Sequence, residues 1–256
     1  MLKSKSVTVF LLGLLAATIL YSVVTLQGQD QQNAGGRKQR VGPPSEQEIN
    51  DFRNQFPTVD FDAPGSSDPK RGAKNRRHNK GGLVSREPAA DITGTTAVVE
   101  GTFDMPALPV GLSSAVVKGE VLDAKAHLSE DKTNIYSEFT VRVDKVLKRD
   151  GSNTIESGGA IAVERVGGNV RYPNGQKLVY RIAGMNAPRA GRSYVLFLKT
   201  ASEDGDYSLL TGYELNPQGV IPLDDSRQFE IYRGYSEASF LKAIQEALAG
   251  LSPTSN

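Results

Sequence analysis

Ala115-Val-Val-Lys-Gly-Glu-Val-Leu-Asp-Ala-Lys-Ala-His-Leu128 and Ile135-Tyr-Ser-Glu-Phe-Thr-Val-Arg-Val-Asp-Lys-Val-Leu147 decide how this chain folds. In the first stretch Val117, Gly119 and Val121 share one phase of a two-residue period. Leu122, Ala124, Ala126 and Leu128 share the other. Alternation of this kind is the strand pattern, because successive side chains point to opposite faces. A change of phase inside one strand marks a bulge, which bends it. The second stretch places Phe139, Val141 and Val143 on one face and slips at Val146. The polar segment Ser129–Asn134 joins the two as a hairpin loop.

Alternation continues on both sides. Ala160–Val166 reads as a strand, and Val170–Ile182 as a hairpin whose Asn174-Gly175 supplies a type I′ turn. Arg192–Lys199 contains the most apolar strand, Tyr194-Val-Leu-Phe-Leu198, and Tyr207–Leu215 follows it. Gly219–Leu223 carries Pro222, which confines it to an edge. Thr96–Phe103 is a candidate first or edge strand. One helix is predicted at the end: Ser236 caps it, Phe240, Leu241, Ile244, Ala247 and Leu248 form its stripe, and Gly250 then Pro253 stop it. Two long, bent strands followed by shorter ones predict a mainly β domain over residues 95–251. Its expected form is a single small β-barrel, closed or partly open, of the five-stranded OB type with a C-terminal helix. A two-sheet β-sandwich is the alternative.

Upstream the character of the chain changes. Lys3 and Lys5 precede the uncharged run Val7–Leu26, whose 20 residues would span about 30 Å as a helix, the thickness of a bilayer's hydrocarbon core. A short charged segment before an apolar one is an export signal. The run is longer than cleaved signals usually are and lacks a small-x-small site after Leu26. Residues 1–29 are therefore expected to stay as a signal-anchor with the C-terminal part outside the cytoplasm; secretion after cleavage is the alternative. Residues 30–94 carry Gly35-Gly36, Pro43-Pro44, Pro64-Gly65 and Gly81-Gly82 with few apolar residues, and read as a disordered linker.

Charge is segregated. Residues 37–86 hold 11 Lys/Arg against 6 Asp/Glu, and residues 87–256 hold 17 against 22, so a basic arm leads into a mildly acidic domain. Lys70, Arg71, Lys74, Arg76, Arg77, Lys80 and Arg86 lie together with no acid among them, which points to contact with an anionic lipid or cell-wall surface. No aromatic residue interleaves these cations to stack on bases, so nucleic acid is not the expected partner.

Chemistry is harder to find. The chain has no Cys and two His, which excludes disulfides, thiol nucleophiles and thiolate zinc sites. Gly111-Leu-Ser-Ser-Ala115 lacks the second Gly of a nucleophile elbow, and Ser129-Glu-Asp-Lys132 lacks the partner Lys-Thr-Gly of penicillin-binding enzymes. Asp206, in Glu203-Asp204-Gly205-Asp206, reads as part of a turn and Asp224-Asp225 as an exposed loop. Six strand tyrosines, from Tyr136 to Tyr213, are candidates to line a glycan or peptide groove. A carboxylate hydrolase would need two of Glu120, Glu138, Glu164 and Glu214 to converge. No cofactor or metal is expected. The expected function is a membrane-tethered binding or assembly module that engages an envelope or extracellular protein. A secreted carboxylate hydrolase or inhibitor-like domain is the alternative.

Overall fold

The computed structural model describes residues 56–85, 96–99, 105–151, 155–201 and 205–251. The apolar run 7–26, the expected anchor, lies outside them. Among the described residues no helix is long and apolar enough to cross a membrane.

The described part is mainly β, in two sheets. The larger sheet contains β3 (Ala115–Leu128), β4 (Ile135–Arg149), β5 (Ala160–Val166), β8 (Ser193–Thr200), β9 (Tyr207–Asn216) and β10 (Gly219–Pro222). Its order is β10-β9-β5-β4-β3-β8, and β9 also pairs with β8. β10, with Pro222, is the edge strand. The smaller sheet is built on the hairpin β6 (Gly168–Arg171) and β7 (Lys177–Ile182). β1 (Thr58–Asp60) adds in parallel to β6, and β2 (Thr96–Val99) in parallel to β7. A helix α1 (Pro69–Arg77) lies between β1 and β2 in sequence. A 3-10 helix (Arg227–Tyr232) and α2 (Glu237–Ala249) end the chain.

The bulges fall where the apolar phase slips. The β3–β4 ladder shifts register between Val121 and Asp123, and also at Val116/Val117 and Lys118/Gly119. Gly119 is required at its bulge: a Cβ there would lie 2.3 Å from the Arg142 carbonyl oxygen, which is backbone and cannot turn aside. In the β6–β7 turn, Gly175 takes φ +83°, a conformation that glycine adopts freely.

β8 is apolar from Tyr194 to Leu198 because both its faces are covered there. Tyr194, Leu196 and Leu198 join the core shared with Val121, Phe139, Val141 and Val163. Val195 and Phe197 turn the other way, onto Tyr213, Phe229 and the helical stripe Phe240 and Ile244. Ser236 caps α2 as its sequence predicts, accepting from the Ser239 amide at 3.2 Å.

The linker boundary needs correction. Residues 56–85, expected within a disordered arm, are an ordered part of the fold. Phe56 is 3% exposed in the main core, where Val179 is a neighbour in the same cluster. Phe61 stacks on Tyr172 with ring centroids 5.1 Å apart. The segment gains order through partners far along the chain, which no local period reports.

Gly119→Ala should cost about 1–3 kcal/mol of stability through overpacking at the bulge. Urea denaturation of the variant measures it.

Candidate functional site

α1 is a helix with no apolar face. Asp68 is its N-cap, accepting from the Lys70 amide at 3.0 Å, and Pro69 follows at the first position, where a missing N–H costs nothing. At 3.6 residues per turn Arg71, Lys74, Asn75 and His78 fall on one side, with Arg77 at its margin. None of the helix's residues is buried, so polar contacts hold it in place.

The surface beneath is acidic. Glu138 of β4 sits directly opposite Glu164 of β5. Such pairs hold their Cβ atoms about 5 Å apart, and two like charges there repel. Asp206, at the entry to β9, adds a third carboxylate. α1 supplies cations to all three. The Lys74 ammonium lies 2.7 Å from Glu138, 2.7 Å from Asp206 and 3.5 Å from Glu164. The Arg71 guanidinium is bidentate to Glu138, at 2.7 and 3.0 Å. Arg77 reaches Glu164 at 2.9 Å and Asp206 at 3.2 Å.

Tyr136 is the aromatic floor. Its hydroxyl donates to Asn75 Oδ1 at 2.8 Å and accepts from Arg71 at 3.2 Å. The His78 ring stacks on it at 4.0 Å, and His78 Nε2 lies 3.3 Å from Glu164 Oε2. His127, on β3, meets the same tyrosine at 5.3 Å, and its Nε2 is buried with no partner among the described residues. Loops close both sides. The Lys80 amide donates to Asp131 at 2.8 Å, and the Asp131 amide donates to Asn79 Oδ1 at 3.1 Å. A cavity of about 220 Å³ remains beside α1, lined by Gly72, Asn75, His127, Ser129 and Lys132 among others.

Proton affinities follow from this packing. Burial alone would raise the Glu138 carboxyl, but the hydrogen bonds from Arg71 and Lys74 outweigh it and pull it down to about 2. Burial alone would lower the Lys74 ammonium, but Asp206 and Glu138 hold it above its usual value. Burial first, and then the charge of Arg71, push the His127 imidazole down to about 4.

Among the seven cations expected to face an anionic surface, Arg71, Lys74 and Arg77 instead face carboxylates of the same chain. Lys70, Arg76 and Lys80 are exposed, with Arg76 loosely paired to Glu130 at 3.6 Å. Arg86 lies outside the described residues. Of the four glutamates, only Glu138 and Glu164 converge. Glu120 pairs with Arg142, and Glu214 with Arg189. The six tyrosines are core residues, none more than 4% exposed, and do not form a groove. Asp224, expected in an exposed loop, is buried against Arg165 at 2.7 Å, and its other oxygen accepts from the Asn186 amide. Among the described residues no group of three or more His, Asp or Glu is arranged to hold a metal ion.

Sequence reading missed Glu138, Glu164, Asp206, Tyr136, Asn75 and His78 as one constellation. The local signal was the spacing Arg71, Lys74, Arg77 behind Asp68-Pro69, a polar helix with its cap.

No protein-family model matches this chain, and no curated protein matches it.

Two of the depressed groups, His127 and Glu138, give stability a pH dependence. His127 must charge in the unfolded chain but not in the folded one, so stability falls as the pH drops below about 6.5 and this loss is complete below about 4. The Glu138 contribution, present above about 4.5, is lost as the pH falls towards about 2 and amounts to roughly 3 kcal/mol at most. Denaturation midpoints across this range should show both steps, and Glu138→Gln should shrink the lower one.

Proposed function

We propose that this chain is a membrane-tethered, extracytoplasmic binding module, and that the β4–β5 side of an OB-type barrel is its binding face. One observation carries the reading. The strand pairs β3–β4, β4–β5, β5–β9, β9–β8 and β8–β3 follow one another in a ring, antiparallel except for the parallel β5–β9 pair. In barrels of this type the second and third strands, with the loops joining the first two and the last two, form the ligand face. In this chain those are β4, β5, the loop 129–134 and the β8–β9 connection, and α1 meets Glu138 of β4, Glu164 of β5, Glu130 of the loop and Asp206 at the entry to β9.

The chemistry of the face favours a protein partner. Its own side chains are acidic and repel phosphate, so it is a poor nucleic-acid surface. An envelope or extracellular protein is the partner we favour. The outward Lys70, Arg76 and Lys80 remain available to an anionic lipid or cell-wall polymer. Residues 7–26 supply the membrane tether.

The carboxylate hydrolase is the second reading, favoured only by the convergence of Glu138 and Glu164. A general acid needs a raised proton affinity. Glu138 is instead held ionised near 2, and Lys74 occupies the space between the carboxylates.

Cell fractionation with external protease and intact-mass analysis tests the location. A full-length chain in the membrane fraction, cleaved from outside, is expected. A domain protected inside the cytoplasm would overturn the tethered, outward-facing reading.

A further inference from the structure

We propose that α1 is a removable, self-supplied occupant of the β4–β5 face, and that a basic helical segment of a partner protein takes its place. The inference rests on the reading of that side as the binding face, and is independent of where in the cell the domain lies.

The contact is built like a complex between two molecules. Among the described residues the face does not neutralise itself: every Lys or Arg paired with Glu138, Glu164 and Asp206 comes from α1. Direct opposition of Glu138 and Glu164 on neighbouring strands is unfavourable for an uncovered sheet. It becomes favourable once a cation is placed between them. The face is therefore shaped for a positively charged occupant, with the Tyr136 ring as a flat seat for a planar group such as the His78 imidazole.

The occupant is built to leave. α1 has nine residues and buries none of them. Isolated helices shorter than about 12–15 residues are marginal in water, so α1 is helical because it is docked. Gly72 weakens it further: an added Cβ would meet only the end of the Arg76 side chain, at 3.5 Å, so packing does not require a glycine there. A mid-helix glycine is less favourable than alanine because it leaves more backbone freedom to be lost. The helix is held by ion pairs whose cationic side chains remain 15–30% exposed, so water reaches the pairs from the helix side.

These features specify the competitor. It presents cations at spacings of three residues, as Arg71, Lys74 and Arg77 do, followed by a flat ring at the position of His78. It is helical when bound and needs no apolar face. Because α1 is tethered, it competes at an effective concentration of about 1 mM; an intrinsic Kd of about 100 µM for α1 itself then weakens binding of the competitor roughly tenfold.

The test uses the full-length chain in detergent and a fluorescent peptide copying residues 66–82. The wild-type chain is compared with the triple variant Arg71→Gln, Lys74→Gln, Arg77→Gln, whose own helix lacks its ion pairs. The triple variant should bind the peptide about tenfold more tightly than wild type. Binding should weaken as salt rises, and should be lost when Glu138→Gln and Asp206→Asn are added. Equal binding by wild type and triple variant, or equal binding of a scrambled peptide of the same charge, would overturn the proposal. If the triple variant does not fold, hydrogen exchange on the wild-type chain decides instead. Excess peptide should deprotect the α1 amides while those of β4 and β5 stay protected, and unchanged α1 protection would overturn it. Fractionation bears only on location, so the two readings fail separately.

Discussion

Two glutamates placed face to face on adjacent strands set the terms for the N-terminal half of this fold. Glu138 and Glu164 are partners in the β4–β5 ladder, and Asp206 lies beside them. A sheet carrying that arrangement stays stable when charge of the opposite sign is brought to it. Lys74 meets all three carboxylates, and Arg71 and Arg77 flank it. The placement of α1 follows from that need, and the stacking of His78 on Tyr136 comes with it.

A second charged pair shows the contrast between structure and site. Arg165 and Asp224 have fully buried side chains, and the arginine also donates to the Asn186 carbonyl. That pair ties β5 to the segment after β10, deep in the molecule and away from solvent. Breaking such a pair leaves an uncompensated buried charge, so it behaves as a permanent rivet. The α1 pairs share three carboxylates, and their cations remain 15–30% exposed.

The larger sheet was legible in the sequence because its strands alternate over long runs. The bulge at Val121 was visible as a change of phase, and α2 as a capped apolar stripe. The segment 56–85 was not legible, for a physical reason. Its helix has no apolar period, and prolines that read as linker punctuation include Pro69, which is the first residue of a helix. Phe56 and Phe61 stand in a stretch with few apolar neighbours, and their partners, such as Tyr172, are more than 100 residues away in the chain. Asp224 looked like a loop residue because nothing beside it announces Arg165. The site was half visible: its cations stood out as a cluster, while its acids were scattered singly through β4, β5 and the approach to β9.

The smaller sheet carries a consequence for the order in which the molecule can be assembled. Its outer strands, β1 and β2, come from residues 58–60 and 96–99, whereas the hairpin between them comes from residues 168–182. During synthesis the outer strands are made first and have nothing to pair with until the hairpin has emerged. Contacts of such long sequence separation form slowly, since a large loop must close before any bond rewards it. The basic helix segment between the two waiting strands is likewise made before Glu138, Glu164 and Asp206, so its charges have no carboxylate to meet until β4, β5 and the start of β9 have followed.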